Sequence, residues 1–248
     1  MTEKYAGYYT LKKFIVYPEG GGKREYDLSL LIPSFTITES IDLDCINGYA
    51  KVIDSAGLLE GYPLRGEERI YIEVDDALGN NRVFHMFLWK IDNISVSDIN
   101  KQLTYVIHFV SYQRFKAGLK RIISAYDRPS SEIALDIFLN NYKLTRAANP
   151  SDDSARVEIG YVEDEISKDL VYEKVSDPIR VTIPNMTPMQ AMKFIAMRSF
   201  SNVSPSCTFR FFESANYFYF ISDEGLYKKS EEANRIFNFT STDIPKLS

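Results

Sequence analysis

Apolar and polar residues alternate along much of the first 110 positions. Successive side chains of a β-strand point to opposite faces, so a period of two predicts strands with one buried and one wet face. Short turns separate these segments, which favours an antiparallel barrel or sandwich of roughly six or seven strands. The segments that carry the pattern are 11–17, 26–32, 35–43, 69–76, 82–92 and 99–111.

Glycine, asparagine and proline mark the connections between these strands. Three consecutive glycines at 20–22 predict a flexible turn. Gly-Asn-Asn at 79–81 predicts a hairpin turn, because both residue types tolerate left-handed backbone conformations. The loop 56–68 is expected to bend and double back. Its turn residues are Gly57, Gly61, Pro63 and Gly66.

Helical periodicity replaces alternation after residue 111. A short helix is predicted over 111–119 and a second over 128–142, where Ser130 or Ser131 can cap the first turn. Apolar residues three and four positions apart make its expected buried stripe. The stripe consists of Ile133, Ile137, Phe138 and Tyr142.

The last third of the chain mixes both patterns. Residues 146–178 are polar and acidic and predict a long surface excursion. A strand is predicted at 179–183, then a helix capped by Thr187 with Pro188 as its first residue, and finally a hairpin about 214–216. The side chains expected to be buried are Met189, Met192, Ile195, Ala196, Phe209, Phe211, Phe218 and Phe220.

Composition agrees with a sheet-rich protein. The chain has 248 residues, of which 14% are aromatic, and a formal net charge of -5. Aromatic side chains pack well on pleated sheets. The negative charge disfavours a nucleic-acid groove, which needs clustered basic residues. The nearest approach to such a cluster is expected on a solvated face: Arg114, Lys116, Lys120 and Arg121.

Cysteine content and the N-terminus indicate the compartment. Cys45 and Cys207 are too few and too far apart for a disulfide framework or a zinc site, which favours a reducing environment. The N-terminus lacks the apolar core of a signal peptide. No run approaches the roughly 18 apolar residues that span a bilayer. We therefore expect a protein made in, and used from, the cytoplasm.

Candidate catalytic groups are few. His85 and His108 lie inside predicted strands among aromatic residues, so sheet histidines are expected rather than a metal site or a catalytic base. Cys45 has no histidine or helix N-terminus beside it in sequence to lower its pKa. The glycines at 20–22 lack the Lys-Ser/Thr ending of a phosphate loop. No catalytic, cofactor-binding or metal-binding residue is predicted.

Three acid pairs occur in the chain, but proximity in sequence does not place two carboxylates across a cleft. Asp42 and Asp44 are expected on one strand face, as a solvent-facing acidic ridge. The other pairs are Asp75 with Asp76 and Asp152 with Asp153.

The order of elements carries a resemblance. The pattern strand, G-x-A-x-V-x-D-S at 48–55, loop, G-E at 66–67, strand is followed by YVIHFVSYQRF and SSEIALDIFLNNY. VTIPNMTPMQAMKFIAMRSF and CTFRFFESANYFYFIS come next. Across about residues 25–225, this succession resembles the baseplate hub protein of contractile-tailed, T-even-like bacteriophages.

The resemblance implies a non-enzymatic structural subunit of the virion, assembled in the host cytoplasm. In that family three copies form a ring that joins the tail tube to the central spike. The implied partners are other copies in a homotrimer, the spike protein, tail tube or tube-initiator proteins, other baseplate proteins, and DNA only in transit through the lumen. The family continues through most of a second barrel, whereas residues 223–248 remain here. We therefore expect a fragment, or a second barrel built differently or by another polypeptide.

The expected fold class is α+β, mainly β. Residues 1–110 would form an antiparallel, tail-tube-like β-barrel, 111–178 a helical connector with the acidic excursion, and 179–248 a mixed α+β region that could start a second barrel-containing part. Subunit contacts are expected on the strands of the first barrel and on the loop 56–68.

Two alternatives stay open. A tail-associated cell-wall hydrolase would need a cleft with converging acids, or His85 with Cys45 or an aspartate. A sandwich-type binding module would be a monomer.

Overall fold

The computed structural model describes residues 9–17, 25–55, 57–61, 64–76, 79–97, 102–141, 168–202 and 208–232. Several predictions fall outside these described residues. They concern the glycine turn at 20–22, most of the excursion over 146–178, Pro63, Tyr142, Asp152, Asp153 and Cys207.

The first part of the chain contains the strands β1 (Thr10–Tyr17), β2 (Tyr26–Asp27), β3 (Ser34–Thr38), β4 (Asn47–Asp54), β5 (Arg69–Asp75), β6 (Asn81–Val96) and β7 (Leu103–Ser111). They form one seven-stranded antiparallel sheet with the order β2-β1-β5-β6-β7-β4-β3. Strand β4 lies outside the six alternating segments, and a short helix, α1 (Leu58–Gly61), follows it. The predicted α+β, mainly β class is confirmed.

The sheet curls, and a turn rather than a ladder bridges its two sides. Within the described residues no ladder joins the edge strands β2 and β3. The segment between them makes the connection instead. Leu28 N donates to Phe14 O of β1 at 2.8 Å, and Ile53 N of β4 donates to Leu31 O at 2.9 Å. Phe14 N also donates to Ser29 Oγ at 2.8 Å. The hydrogen-bond ladder of the described strands does not close, so an open, curled sheet stands where a barrel was expected.

Two strands are shorter than their sequence pattern predicts. The segment 26–32 stops pairing after Asp27, because Leu31 N donates to Leu28 O at 2.8 Å and the chain turns. The segment 35–43 stops pairing at Thr38. There Leu43 N donates to Ser40 O at 3.2 Å, a turn that a continuing strand cannot contain. Residues 39–46 are a loop.

The inner face of the curled sheet holds the first hydrophobic core. On β5, Ile70, Ile72 and Val74 point inward and the residues between them are half-buried on the other face, as period two predicts. Burying a side chain of this size stabilises the fold by about 1.5–3 kcal/mol. The fully buried residues of this core include Phe14, Leu28, Ala50, Val52, Ile72, Tyr105, Ile107 and Phe109.

The remaining elements form a second packed unit. Its elements are α2 (Tyr112–Gly118), β8 (Ile122–Pro129), α3 (Ser130–Asn141), β9 (Asp169–Tyr172), β10 (Pro178–Met186), α4 (Pro188–Ala196), β11 (Phe209–Glu213), β12 (Tyr217–Ser222) and α5 (Asp223–Glu232). A two-stranded antiparallel sheet pairs β10 with β8. A three-stranded sheet has the order β11-β12-β9, with β9 parallel to β12. Strands β8 and β9 and helix α5 were not predicted from the sequence.

A second hydrophobic core joins these elements. As predicted, the four hairpin phenylalanines enter one core, together with the stripes of α3 and α4. The described parts of 111–178 and 179–248 therefore share this core. Its members include Ile133, Ile137, Phe138, Met192, Ile195, Phe209, Phe211, Phe218 and Phe220.

Helix α4 begins as its sequence predicts. Thr187 Oγ1 accepts a hydrogen bond from Gln190 N at 3.3 Å, and Gln190 Oε1 accepts one from Thr187 N at 3.0 Å. This reciprocal capping box satisfies two backbone donors that the first turn cannot pair internally. Pro188 follows as the first helical residue.

Candidate interface surfaces

The only tryptophan of the chain is exposed on the first sheet. Trp89 keeps 61% of its surface accessible. The ladder between β6 and β7 skips it, because Leu88 pairs with Phe109 and Lys90 pairs with His108. Such a bulge leaves one residue unpaired and changes the direction of its side chain. Tryptophan is enriched among the residues that contribute most to protein interfaces, so Trp89 is a candidate contact.

Aromatic and basic side chains surround this bulge. Tyr49 of β4 pairs with His108 of β7, which pairs with Lys90 of β6, so the three form one row across the sheet. Tyr49 is 49% exposed, and its ring centroid lies 6.1 Å from that of His108. We call Tyr49, Trp89, Lys90 and His108 the outer aromatic surface.

A buried carboxylate holds the loop between α1 and β5. Glu68 is fully buried and accepts hydrogen bonds from three successive backbone N–H groups. The donors are Arg65 N at 2.6 Å, Gly66 N at 2.8 Å and Glu67 N at 3.1 Å. Leu88 N of β6 donates to Glu68 O at 2.8 Å, which ties the same residue to the sheet. The described part of the loop 56–68, which we call the contact loop, therefore has a fixed backbone conformation.

The start of that loop is fixed by a second buried acid. Asp54, at the end of β4, is 2% exposed, and its Oδ2 accepts from Leu59 N at 3.0 Å. Tyr105 is fully buried, and within the described residues its hydroxyl has no hydrogen-bond partner. Burial, and then the nearby charge of Asp54, raise the pKa of Tyr105. The Tyr105 hydroxyl therefore stays neutral inside the fold, close to Asp54.

The predicted acidic ridge does not form. Asp42 and Asp44 lie in the loop 39–46, not on a strand. The Asp42 carboxylate pairs with the Arg210 guanidinium, and Asp44 Oδ2 lies 3.5 Å from Lys193 Nζ. The loop packs against the second unit, which supplies the basic partner of each aspartate.

Cys45 is a buried, unreactive thiol. It lies in a bend before β4 with 7% of its surface exposed. Burial raises the pKa of Cys45 to about 12, and the charges of Asp44 and Glu213 act in the same direction. A nucleophilic thiolate needs the opposite shift. The hydrolase arrangement that uses Cys45 therefore gains no support.

The two histidines lie on strands, as predicted, and do not meet. His85 of β6 packs against Tyr71, with ring centroids 5.5 Å apart. His108 of β7 pairs with Lys90, which is five residues along β6 from His85. Among the described residues, no group of three or more His, Cys, Asp or Glu side chains could hold a metal ion. In the same residues, no helix combines the length and apolar character needed to cross a bilayer.

A cleft of about 420 Å³ separates the first sheet from the second unit. One wall is the outer face of β6 near His85, and the other is the start of β9 with the β11–β12 turn. Lys168 is already engaged, because its Nζ lies 2.7 Å from Glu213 Oε1 and 2.8 Å from Ser214 O. The polar residues lining the cleft are His85, Gln113, Lys168, Asp169, Asn216 and Tyr217.

The other candidate residues serve local structure. Asp75 Oδ2 lies 3.0 Å from Lys12 Nζ across the β1–β5 ladder. Asp76 accepts from Asn80 N at 2.9 Å and so closes the predicted hairpin turn. In the basic group, Lys116 Nζ lies 5.8 Å from the Tyr112 ring centroid, a cation–π geometry on α2.

No family model matches the chain, and no curated protein matches it. Three solved structures that align with the chain are two tail proteins and a component of a secretion system. The 43 kDa tail protein of prophage MuSo2 from Shewanella oneidensis aligns with a TM-score of 0.48 and 9% identity over 85% of this chain. The tail protein of Neisseria meningitidis MC58 aligns with a TM-score of 0.47 and 10% identity over 86%. A component of the E. coli type VI secretion system, described as similar to bacteriophage tail proteins, aligns with a TM-score of 0.43 and 11% identity over 88%.

The chain spans about half the length of these structures, covering 54%, 50% and 49% of them.

Proposed function

We propose that the chain is a non-enzymatic structural subunit of a phage tail baseplate hub, a trimeric adaptor that joins the tail tube to the central spike and lines the DNA channel. Its proposed partners are two further copies, the spike, tail tube or tube-initiator proteins and other baseplate proteins. Its proposed location is the virion of a contractile-tailed phage, after assembly in the host cytoplasm.

The curled seven-stranded sheet carries this proposal. Its edge strands β2 and β3 are two and five residues long, and within the described residues each has one ladder partner. Unpaired strand edges can pair with, or be covered by, a neighbouring copy. Copies related by a closing rotation would then form a ring. The trimer, the tube and the spike are what the resemblance to the baseplate hub family implies.

Two surfaces of the sheet suit subunit contacts. The outer aromatic surface presents Trp89 at a bulge, and the contact loop is held rigid by Glu68. A preformed surface loses little conformational entropy when it binds. The net charge of -5 also suits a channel for DNA, because walls of like charge do not retain phosphates.

Light scattering coupled to size-exclusion chromatography tests the proposal. We expect a species of three times the 28.5 kDa chain mass that dissociates as concentration falls. Trp89→Ala should shift the equilibrium toward monomer, whereas Leu119→Ala, at a 73% exposed position of the second unit, should not. If the chain is a monomer at every concentration and also digests cell-wall material in a zymogram, the hub proposal is wrong and the hydrolase alternative takes its place.

A further inference from the structure

Among the described residues, the two units contact each other at α2, at the loop 39–46 and through Ala215, which packs against the first core. The first is α2, which follows β7 directly and belongs to both sides. Its Tyr112 ring stacks on Phe87 of β6 with centroids 5.0 Å apart, and its Ala117 lies in the second core. The second place is the loop 39–46, which is remote from α2 in sequence and makes no part of either core except through Ile46.

The loop 39–46 contacts the second unit through polar groups along its whole length. Glu39 Oε1 accepts from Ala215 N at 3.3 Å, and Ile46 N donates to Glu213 Oε2 at 3.0 Å. Between them lie the ion pairs with the second unit described above. Among the described residues, these contacts join Glu39 to Ala215, Asp42 to Arg210, Asp44 to Lys193, and Ile46 to Glu213. Cys45 of the same loop also interacts with Arg114 of α2.

These contacts differ in how strongly water screens them. The side chains of Asp42 and Arg210 are 74% and 34% exposed, and Lys193 is 50% exposed. Exposed ion pairs contribute little and weaken in salt. Glu213 is fully buried, and its two oxygens are divided between Lys168 Nζ and Ile46 N. A buried hydrogen bond to a charged group contributes more than a neutral or exposed one, so the bond from Ile46 N holds this end of the loop most firmly.

We propose that residues 39–46 form a polar clasp that fixes the second unit against the first sheet, with Glu213 as its anchor. When the clasp opens, the second unit turns about α2. The cleft between the units then widens, because Ile46 and Ala215 belong to its walls and to the clasp contacts at the same time. Interfaces that are small and polar permit such movement between units, whereas large apolar ones do not.

Hydrogen–deuterium exchange of the full chain tests the clasp, because the Ile46 amide is itself one of its bonds. We expect Glu213→Gln to raise exchange in peptides covering 39–46 and 210–217 at least tenfold, which corresponds to about 1.4 kcal/mol. Exchange in β5 and α3, inside the two cores, should stay at the wild-type rate. The matched control is Arg180→Gln, which removes an exposed pair with Asp127 inside the second unit and should change neither peptide.

A second measurement protects the test against a variant that fails to fold. Raising the salt concentration on the wild-type chain should speed exchange in the acidic part of the loop before it affects Ile46, since only the outer pairs are screened. Unchanged exchange in both clasp peptides of Glu213→Gln would overturn the proposal. So would a uniform rise across both cores, which would mean that the loop opens only when the whole fold does. Neither result bears on the trimer, so the clasp and the hub can fail separately.

Discussion

The carboxylate of Glu68 offers the sharpest test of how the contact loop is held. It is fully buried, and three backbone N–H groups donate to its two oxygens. In Glu68→Gln one oxygen becomes an NH2 group. The NH2 group cannot accept a hydrogen bond, so the backbone N–H that it faces is left without an acceptor. The side-chain volume is almost unchanged, so the effect reports hydrogen bonding rather than packing.

The magnitude follows from the number of bonds. A hydrogen bond to a charged group contributes about 1.5–3 kcal/mol, and a buried donor left without a partner costs about 1–3 kcal/mol. Losing one or two of the three bonds should lower the free energy of unfolding by roughly 2–4 kcal/mol. For a chain of this size that is a fall in Tm of roughly 4–16 °C, if unfolding is two-state.

Urea unfolding followed by tryptophan fluorescence measures this directly. Trp89 is the only tryptophan, and its backbone carbonyl lies beside Gly66 of the same loop, so the probe reports the affected region. Glu67→Gln is the matched control, because Glu67 is adjacent in sequence but exposed. It should stay within about 0.5 kcal/mol of wild type. Equal midpoints for the two variants would refute the assignment of Glu68 as the holder of the loop.

Three further outcomes follow from single positions. Gly48→Ala should destabilise severely, because its Cβ would collide with a backbone oxygen of β3 and the Phe109 ring, whereas a Cβ at Gly61 meets nothing within 4 Å and that substitution is the control in thermal denaturation. Thr187→Ala should lower stability by about 1 kcal/mol through loss of the capping box, and Thr187→Ser should restore most of it in the same urea assay. Cys45 should resist alkylation at pH 8 until the chain unfolds. Burial raises the pKa of Cys45 in the folded chain from 9.0 to about 12. The contribution of this thiol to the free energy of unfolding is therefore complete below pH 9. It is lost between pH 9 and pH 12, by about 1.4 kcal/mol per pH unit at most. Modification of the native thiol, or stability that is flat above pH 9 once Cys45→Ala is subtracted, would contradict this.

Local patterns predicted most elements because their causes are local. The capping box of α4 needs only Thr187, Pro188 and Gln190, which are neighbours in the chain. The same holds for the hairpin turn closed by Asp76 and Asn80. Prediction failed where a distant partner decides. Asp42 continues an alternating pattern, yet the strand ends before it and its carboxylate meets Arg210, 168 residues away.

The candidate surfaces divide in the same way. The sequence pattern could not distinguish an exposed tryptophan from a buried one on the outer face of β6. Phe87 is covered there by Tyr112 and Phe115, whereas Trp89, two residues further along the strand, is 61% exposed. Glu68 carries no sequence signal of burial either. A fully buried glutamate is rare, and this one is tolerated because three amides arrive from a loop whose path the fold sets.

The sequence by itself determined most of the elements and which of their side chains are buried, since period-two and period-3.6 patterns act over a few residues. Only the tertiary structure decided that a turn at 28–31 bridges the curled sheet, that the loop 39–46 reaches the second unit, and that Trp89 faces outward. The reason is physical: each depends on hydrogen bonds or packing between residues far apart in the chain, and no short segment contains both partners.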